Sequence, residues 1–343
     1  MNTGASTPLI RIGLVAGAIA TLGLACAPAA HAQDKVYVMK LSTATINDTQ
    51  HEWLKRFAAA VEKDSGGRIK GEVYPASQLG PIARQIEGVQ FGSVQVYMGP
   101  PEFLSGIDAR YESLSAPGLF TSTDQAVRVI NDPAVQKLMF GLGEKKGLEG
   151  IGLAPIGPTS IATKGEWRHL ADFKGKKIRV LASPFQLEMV RRMDASPIAM
   201  TLADVLPALQ QGAIDGALGA IIVWTTMQYQ DATKYVVVNE QPYLNSIVVM
   251  SKKWLTSLPP ELQKIVRDDA AQTSKDIIPF VKEFVAKQYD IWKSRGGTLI
   301  TFPADEQAAM MAKISTIGED LSKDKPELNA AVKLVFETAK RNK

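Results

Sequence analysis

The sequence is poor in the residues that metal centres and covalent catalysts use. Its 343 residues include one cysteine, Cys26, and three histidines. It contains no G-x-S-x-G or H-E-x-x-H motif and no cluster with metal-ligand spacing. These absences argue against a disulfide scaffold, a thiolate metal site and the common hydrolases, so we expect no enzyme activity, no cofactor and no metal.

Blocks of like charge and long apolar runs are also scarce. The 39 Lys and Arg residues and the 35 Asp and Glu residues are interspersed, and the formal net charge is +4. Without a basic stripe, the sequence does not predict nucleic-acid binding. Beyond residue 25 no apolar run reaches the ~20 residues that a membrane-spanning helix needs, so we expect no span there.

The N-terminus has the parts of a secretory signal peptide. Arg11 precedes an apolar run over residues 12–25, and Ala30-His31-Ala32 is a small-residue cleavage site. We therefore assign residues 1–32 as a cleaved signal peptide, whose removal takes away Cys26 and the charge of Arg11 and lowers the net charge from +4 to +3. An uncleaved anchor and lipid attachment at Cys26 are the alternatives.

The chain beyond the signal peptide alternates strand and helix patterns. We predict a βαβαβ unit over residues 36–41, 50–63, 68–74, 82–91 and 94–98. Apolar residues recur on one face of each helix, for example Trp53 and Phe57 in the first, and Gly92 ends the second. Further strands are predicted at 150–154, 160–163 and 247–251.

Residues 175–220 are the most informative segment. Strands and helices alternate there over residues 178–181, 184–193, 198–200, 202–211 and 216–218. This is a second α/β unit, and two such units in series indicate two lobes. Arg179 lies in its first strand, at the edge where α/β sheets bind ligands. A guanidinium there is suited to a carboxylate, which it grips through two parallel hydrogen bonds.

The sequence predicts one very long helix near the C-terminal end. Its pattern runs from residue 260 to about 294, and Pro279 predicts a kink within it. About thirty-five residues at 1.5 Å each span roughly 50 Å. This length exceeds the diameter of a small domain, so we expect the helix to cross both lobes.

Five segments resemble the periplasmic solute-binding proteins of tripartite ATP-independent periplasmic (TRAP) transporters, of the dicarboxylate-binding type. They occur in that family's order: LSTATINDTQHEWLKRFAAAVEKDSGGRIKGEVYPASQLG (41–80), IEGVQFGSVQV (86–96), LADFKGKKIRV (170–180), ADVLPALQQGAIDGA (203–217) and MSKKWLTSLPPELQKIV (250–266). The resemblance covers nearly the whole mature chain.

The resemblance implies a two-lobed α/β clamshell with a long helix spanning both lobes and a ligand between them. We place lobe I at 33–156 and 247–285, and lobe II at 157–246 and 286–343. It also implies a periplasmic protein, expected to be a monomer, whose partners are a small-molecule carboxylate and the TRAP membrane subunits.

Some candidate site residues match positions of the family's motifs, and others are added beside them. Arg179 falls on the family's carboxylate-binding arginine. Gly219 departs from a D-G-A-E-N-P pattern in which asparagine faces the ligand, and Lys164 is a candidate for a second basic contact. We add Trp224 and Phe103 as aromatic walls, Phe185 as a further aromatic residue where the family's cleft lies, and Tyr243 and Asn245 as hydrogen-bonding residues near the hinge.

Each of these residues also has an ordinary structural interpretation. Arg179 at a strand end suits a surface ion pair, and the aromatic residues suit a core. Glu102 is a poorer candidate because a carboxylate repels an anionic ligand. The glycine and the nearby aromatic rings favour a bulky monocarboxylate, aromatic or otherwise. A small dicarboxylate, a keto or hydroxy acid, or a ligand-sensing role at a membrane receptor are the alternatives.

Overall fold

The computed structural model describes residues 35–343, so the predicted signal peptide 1–32 and Cys26 lie outside the described residues. The strands are β1 Tyr37–Ser42, β2 Ile69–Tyr74, β3 Val96–Gly99, β4 Leu148–Thr163, β5 Lys177–Val180, β6 Ser196–Ala199, β7 Gly216–Ala220, β8 Tyr235–Val237, β9 Tyr243–Ser251 and β10 Thr298–Ile300. The α-helices are α1 Thr49–Asp64, α2 Ile82–Phe91, α3 Thr123–Ile130, α4 Pro133–Gly141, α5 Pro184–Arg192, α6 Leu202–Gln211, α7 Ile221–Thr226, α8 Lys252–Thr256, α9 Pro260–Ser294, α10 Ala304–Ile314, α11 Ile317–Ser322 and α12 Pro326–Arg341.

The strands join in one sheet with two parallel groups. Its order is β2-β1-β3-β9-β4-β7-β5-β6, with β8 paired to β4 and β10 paired to β8. β1 runs parallel to β2 and β3, and β5 runs parallel to β6 and β7. β9 and β4 lie between the groups and run antiparallel to their neighbours. The sheet therefore has a first half, β1 to β3, and a second half, β5 to β7, and the predicted α/β class is confirmed.

β4 corrects the sequence prediction of two separate strands. It is a single strand of 16 residues, where strands at 150–154 and 160–163 were expected. Pro155 and Pro158 lie inside it, and its pairing with β9 shifts register twice. A bulge tolerates proline because it interrupts the ladder of hydrogen bonds to which proline has no N–H to donate. The long β4 and β9 connect the two halves directly.

Helix α9 has the predicted bounds and contacts elements of both halves. Trp53 Nε1, in α1 beside the first half, donates to Ser274 Oγ of α9 over 3.2 Å. Fourteen residues along α9, Gln288 Oε1 accepts a hydrogen bond of 2.6 Å from Thr225 Oγ1. Thr225 belongs to α7, which follows β7 without a loop. The helix thus bridges the sheet as the sequence predicted.

Segments 123–141 and 304–341 received no assignment from sequence and are helical. They form α3, α4 and α10 to α12. The buried face of α12 carries Leu328, Val332 and Val335, which join the larger of two hydrophobic clusters. Within residues 35–343, no helix is long and apolar enough to cross a membrane.

Candidate ligand-binding cleft

A cleft lies where the carboxyl ends of strands from both halves meet. The segments that follow β1, β3, β5 and β7 all contribute to its walls, which is where open α/β sheets bind ligands. The space between the lining atoms is about 480 Å³, including the open mouth of the cleft. The lining residues are Ala44, Thr45, Gln50, Ile82, Tyr97, Pro100, Phe103, Ile156, Arg179, Leu181, Leu202, Gly219, Val223, Trp224 and Leu244. Nearly all of them are buried, so the cleft is almost closed in this conformation.

Arg179 is the one charged residue among these lining residues. Its side chain in β5 is only 2% exposed. Nε donates to the Met200 carbonyl and Nη1 to the Leu218 carbonyl, each over 3.0 Å. Burial lowers the pKa of the guanidinium to about 10, which leaves it charged at neutral pH. Two carbonyls therefore fix a positive charge in the wall of the cleft.

No acidic side chain in residues 35–343 forms an ion pair with Arg179; the nearby titratable group is the Tyr229 hydroxyl. Among the described residues the Arg179 side chain makes two hydrogen bonds, from Nε and Nη1, and none from Nη2. A buried charge without a partner is costly. An anion that accepted hydrogen bonds from Nη2 would supply the missing negative charge.

Trp224 and Gly219 form one wall as a unit. The indole ring folds back over Gly219 so closely that an added Cβ would lie 2.6 Å from Cζ2. Nε1 donates to Ser160 Oγ over 3.0 Å, and the Tyr229 ring packs against the indole at 4.9 Å between centroids. The ring occupies the space that a side chain at position 219 would need. The asparagine that the resemblance places there has no room beside Trp224.

The wall from the first half combines apolar and polar groups. Phe103 follows β3 and is half-buried. Gln50 Nε2 donates to Thr45 Oγ1 over 3.2 Å, and Gln50 Oε1 accepts from Thr43 Oγ1 over 3.5 Å. The Tyr97 hydroxyl is buried and has no hydrogen-bond partner among the described residues. This side of the cleft is thus uncharged.

Two buried carboxyl groups lie outside the lining, between the segment after β3 and the start of α5. Burial raises the pKa of Glu102 to about 7 and that of Glu112 to about 8. Ser183 Oγ donates to Glu112 Oε2 over 2.6 Å, and Gln186 Nε2 donates to Glu102 Oε1 over 3.4 Å. Ser183 caps α5, so these contacts join the first half to the helix that follows β5.

Of the eight predicted site residues, the structure brings four to the cleft and leaves four elsewhere. Arg179, Trp224, Phe103 and Gly219 line it. They come from both halves of the sheet: Arg179 lies near the end of β5, Gly219 and Trp224 lie at and just after the end of β7, and Phe103 follows β3. Their proximity to one another is what a single ligand site between the halves requires.

The other four predicted residues are not among the lining residues of the cleft. Phe185 is 1% exposed within the core side of α5. Tyr243 and Asn245 lie inside β9, which begins four residues earlier than predicted, and the ring of Tyr243 meets Phe120 edge-on. Lys164 is exposed, just past the end of β4.

The cleft also has three polar lining residues that the sequence did not predict: Thr45, Gln50 and Tyr97. Thr45 and Gln50 flank the start of α1, after the carboxyl end of β1, and the rule that ligands bind at strand ends identifies that position. The sequence pattern places Tyr97 within a predicted strand and assigns it no other role. Its signal is Gly99 two residues on, on the same strand face, where an added Cβ would lie 2.1 Å from the Tyr97 hydroxyl oxygen.

The cleft contains few polar or charged side chains. No group of three or more His, Cys, Asp or Glu side chains is placed to hold a metal ion in the described part of the chain. The lining offers one cation, three neutral polar side chains and an apolar remainder.

Comparison with known proteins gives a consistent result. Residues 42–324 match the family described as bacterial extracellular solute-binding protein, family 7. The 2,3-diketo-L-gulonate-binding periplasmic protein YiaO of Escherichia coli (strain K12) is 26% identical over 291 residues, which cover 84% of this chain and 88% of that protein. The C4-dicarboxylate-binding periplasmic protein DctP of Rhodobacter capsulatus is 26% identical over 314 residues, 91% of this chain and 93% of the relative.

A solved structure shares the fold across almost the full length. It is a TRAP periplasmic solute-binding protein from Desulfovibrio salexigens with bound orotic acid, 22% identical, with a TM-score of 0.84. The alignment covers 90% of this chain and 100% of that one. This likeness confirms the predicted two-lobed fold.

Proposed function

The chain belongs to the bacterial extracellular solute-binding proteins of family 7, and we propose that it captures an organic acid through an Arg179–carboxylate contact and delivers it to a TRAP-type membrane permease. The family is one of solute-binding proteins, which confirms the expectation that the chain is not an enzyme. We further propose that it acts as a monomer in the periplasm after cleavage of residues 1–32.

The observation that carries this proposal is the unpaired charge of Arg179. Two backbone carbonyls hold the guanidinium, burial removes it from water, and no described carboxylate neutralises it. A ligand carboxylate accepts two hydrogen bonds from a guanidinium in a fixed geometry and supplies the missing charge. The cost of burying Arg179 is then offset when the ligand is bound.

The walls favour a bulky, planar monocarboxylate over a small dicarboxylate. Trp224 and Phe103 present aromatic surfaces, and Ile82, Ile156 and Leu202 add aliphatic ones. A dicarboxylate needs a second cation to avoid an unpaired buried charge, and the described lining holds none. Among the proteins compared above, the one with bound orotic acid carries a planar ring acid, whereas the Rhodobacter capsulatus relative is named for C4-dicarboxylates.

We propose that the two lobes close on the ligand by a hinge in β4 and β9. The proposed boundaries, 33–156 with 247–285 and 157–246 with 286–343, cut the chain close to where these strands pass from one half of the sheet to the other. Ligand contacts from both lobes stabilise the closed state, as in hinge closure generally. An open state is required because the cleft is nearly sealed here.

A thermal-shift screen with matched acids and amides tests the function. Benzoate, orotate, mandelate, succinate and galactonate are each compared with the corresponding carboxamide. A ligand at 100 times its dissociation constant stabilises the protein by about 2.7 kcal/mol. We expect at least one acid to raise the melting temperature and its uncharged amide to have no effect. Equal shifts by an acid and its amide, or no shift by any carboxylate, would contradict the proposal.

A further inference from the structure

The cleft has one positively charged side chain, which can pair with one ligand carboxylate. Arg179 is the single charged group in the described lining, and it lies in the second half of the sheet. The first half contributes Thr45, Gln50 and Tyr97 as its polar groups, all neutral. The remote end of a ligand held by Arg179 therefore meets hydrogen-bonding groups without charge.

These three polar groups differ in what they have left to offer. Thr45 and Gln50 already bond to each other, and Gln50 also accepts from Thr43. The Tyr97 hydroxyl is fully buried and has no partner in residues 35–343. Buried hydroxyls in folded proteins nearly always have a partner, so an exception calls for an explanation.

The hydroxyl occupies space that is free because residue 99 is glycine. It lies over Gly99, where a Cβ would approach its oxygen to 2.1 Å. Any other residue at position 99 would displace the tyrosine ring. Burial, together with the nearby Glu102 carboxyl, raises the pKa of the phenol well above its usual range. Tyr97 is thus a neutral donor and acceptor at the wall of the cleft.

We infer that the natural ligand carries, besides the carboxylate bound by Arg179, an uncharged hydroxyl, carbonyl or ring N–H group that hydrogen-bonds to the Tyr97 hydroxyl, and that Tyr97 is the residue that selects for this group. The inference rests on the proposed function, since it places the carboxylate on Arg179. It narrows the ligand class to monocarboxylates with a neutral polar group across an apolar body.

The test measures how much one hydroxyl on the ligand contributes, with and without Tyr97. The probes are matched pairs: 3- and 4-hydroxybenzoate against benzoate, mandelate against phenylacetate, and lactate against propionate. Dissociation constants are measured by isothermal titration calorimetry for the parent protein and the Tyr97→Phe variant. We expect the parent to prefer the hydroxylated member of its best pair by at least about tenfold, and the variant to lose most of that preference.

The chain offers a matched control in Tyr111. Its hydroxyl is also buried and has no hydrogen-bond partner in the described part of the chain, but Tyr111 is not among the lining residues. Tyr111→Phe should leave the preference intact, which separates ligand contact from a general effect of removing a buried hydroxyl. The Tyr97→Phe variant should bind the unhydroxylated acid within about threefold of the parent and should melt no lower without ligand, since it loses no protein hydrogen bond.

The outcomes distinguish this inference from the function beneath it. If the parent binds carboxylates but Tyr97→Phe weakens both members of a pair equally, or neither, the role of Tyr97 is overturned and the function stands. If no carboxylate binds the parent at all, the proposed function fails, and this inference fails with it.

Discussion

A methyl group added at Gly219 should disturb both stability and binding. In Gly219→Ala the new Cβ would stand 2.6 Å from Trp224 Cζ2 and 2.7 Å from Cη2. Carbon atoms pack best about 3.5–4.0 Å apart, so the ring must move by roughly 1 Å. The hydrogen bond to Ser160 and the contact with Tyr229 resist that movement. Overpacking of this kind costs about 1–3 kcal/mol.

Trp224 lines the cleft, so displacement of its ring should lower ligand affinity as well. We expect a loss of about tenfold, or ~1.4 kcal/mol, for the tightest-binding acid. Urea unfolding gives the stability and calorimetry the affinity. Gly141→Ala is the matched control because an added Cβ there meets nothing within 4 Å, and it should leave the protein as stable or more stable by up to about 1 kcal/mol.

A double-mutant cycle identifies the cause of the loss. Trp224→Phe removes the six-membered ring carbons that the new methyl would strike, so the two substitutions should couple by at least about 1 kcal/mol. Gly219→Ala with a stability within about 0.5 kcal/mol of the parent and unchanged affinity would refute the account of this wall.

Three further predictions concern other groups. Glu112→Gln should flatten the dependence of the unfolding free energy on pH. Burial raises the pKa of Glu112 in the folded protein to about 8. The protonated carboxyl therefore contributes its full stability below the pKa that Glu112 has in the unfolded chain, and this stability is lost as pH rises towards 8. Unfolding at pH 5 and pH 8 measures this, and an unchanged slope would count against it. Gly99→Ala should destabilise the protein by about 1–3 kcal/mol through collision with the Tyr97 hydroxyl, and Tyr97→Phe should relieve part of that loss; additive effects would exclude the collision. Ser274→Ala should cost about 1 kcal/mol in unfolding free energy, because Trp53 Nε1 loses its acceptor; no loss would show that this bond between α1 and α9 contributes nothing.

Much of the fold follows from local patterns that survive in the tertiary structure. Helix α9 could be predicted because its apolar period is long and a proline begins it. Arg179 could be predicted because its position depends on the order of strands and helices around it. The sequence predicts two strands in place of β4 because proline normally interrupts a strand. Pro155 is accommodated inside β4 by a register shift in its pairing with β9, which is distant in sequence.

The candidate site was predictable only where a residue's role depends on its own element. The orientation of the Trp224 ring depends on Ser160, 64 residues earlier in the chain, and the emptiness of position 219 follows from that orientation. Tyr97 lies in a buried strand that alternation alone assigns to the core. Its unpartnered hydroxyl becomes visible only when every possible acceptor around it has been placed.

The most direct test of the central claim is the affinity of an Arg179→Met variant for the acid that binds the parent most tightly. Methionine fills much of the same space without a charge, and the ligand carboxylate would be buried without a partner. We predict that the dissociation constant rises at least about 100-fold, equivalent to ~2.7 kcal/mol. A dissociation constant within about threefold of the parent value would show that Arg179 does not hold the carboxylate.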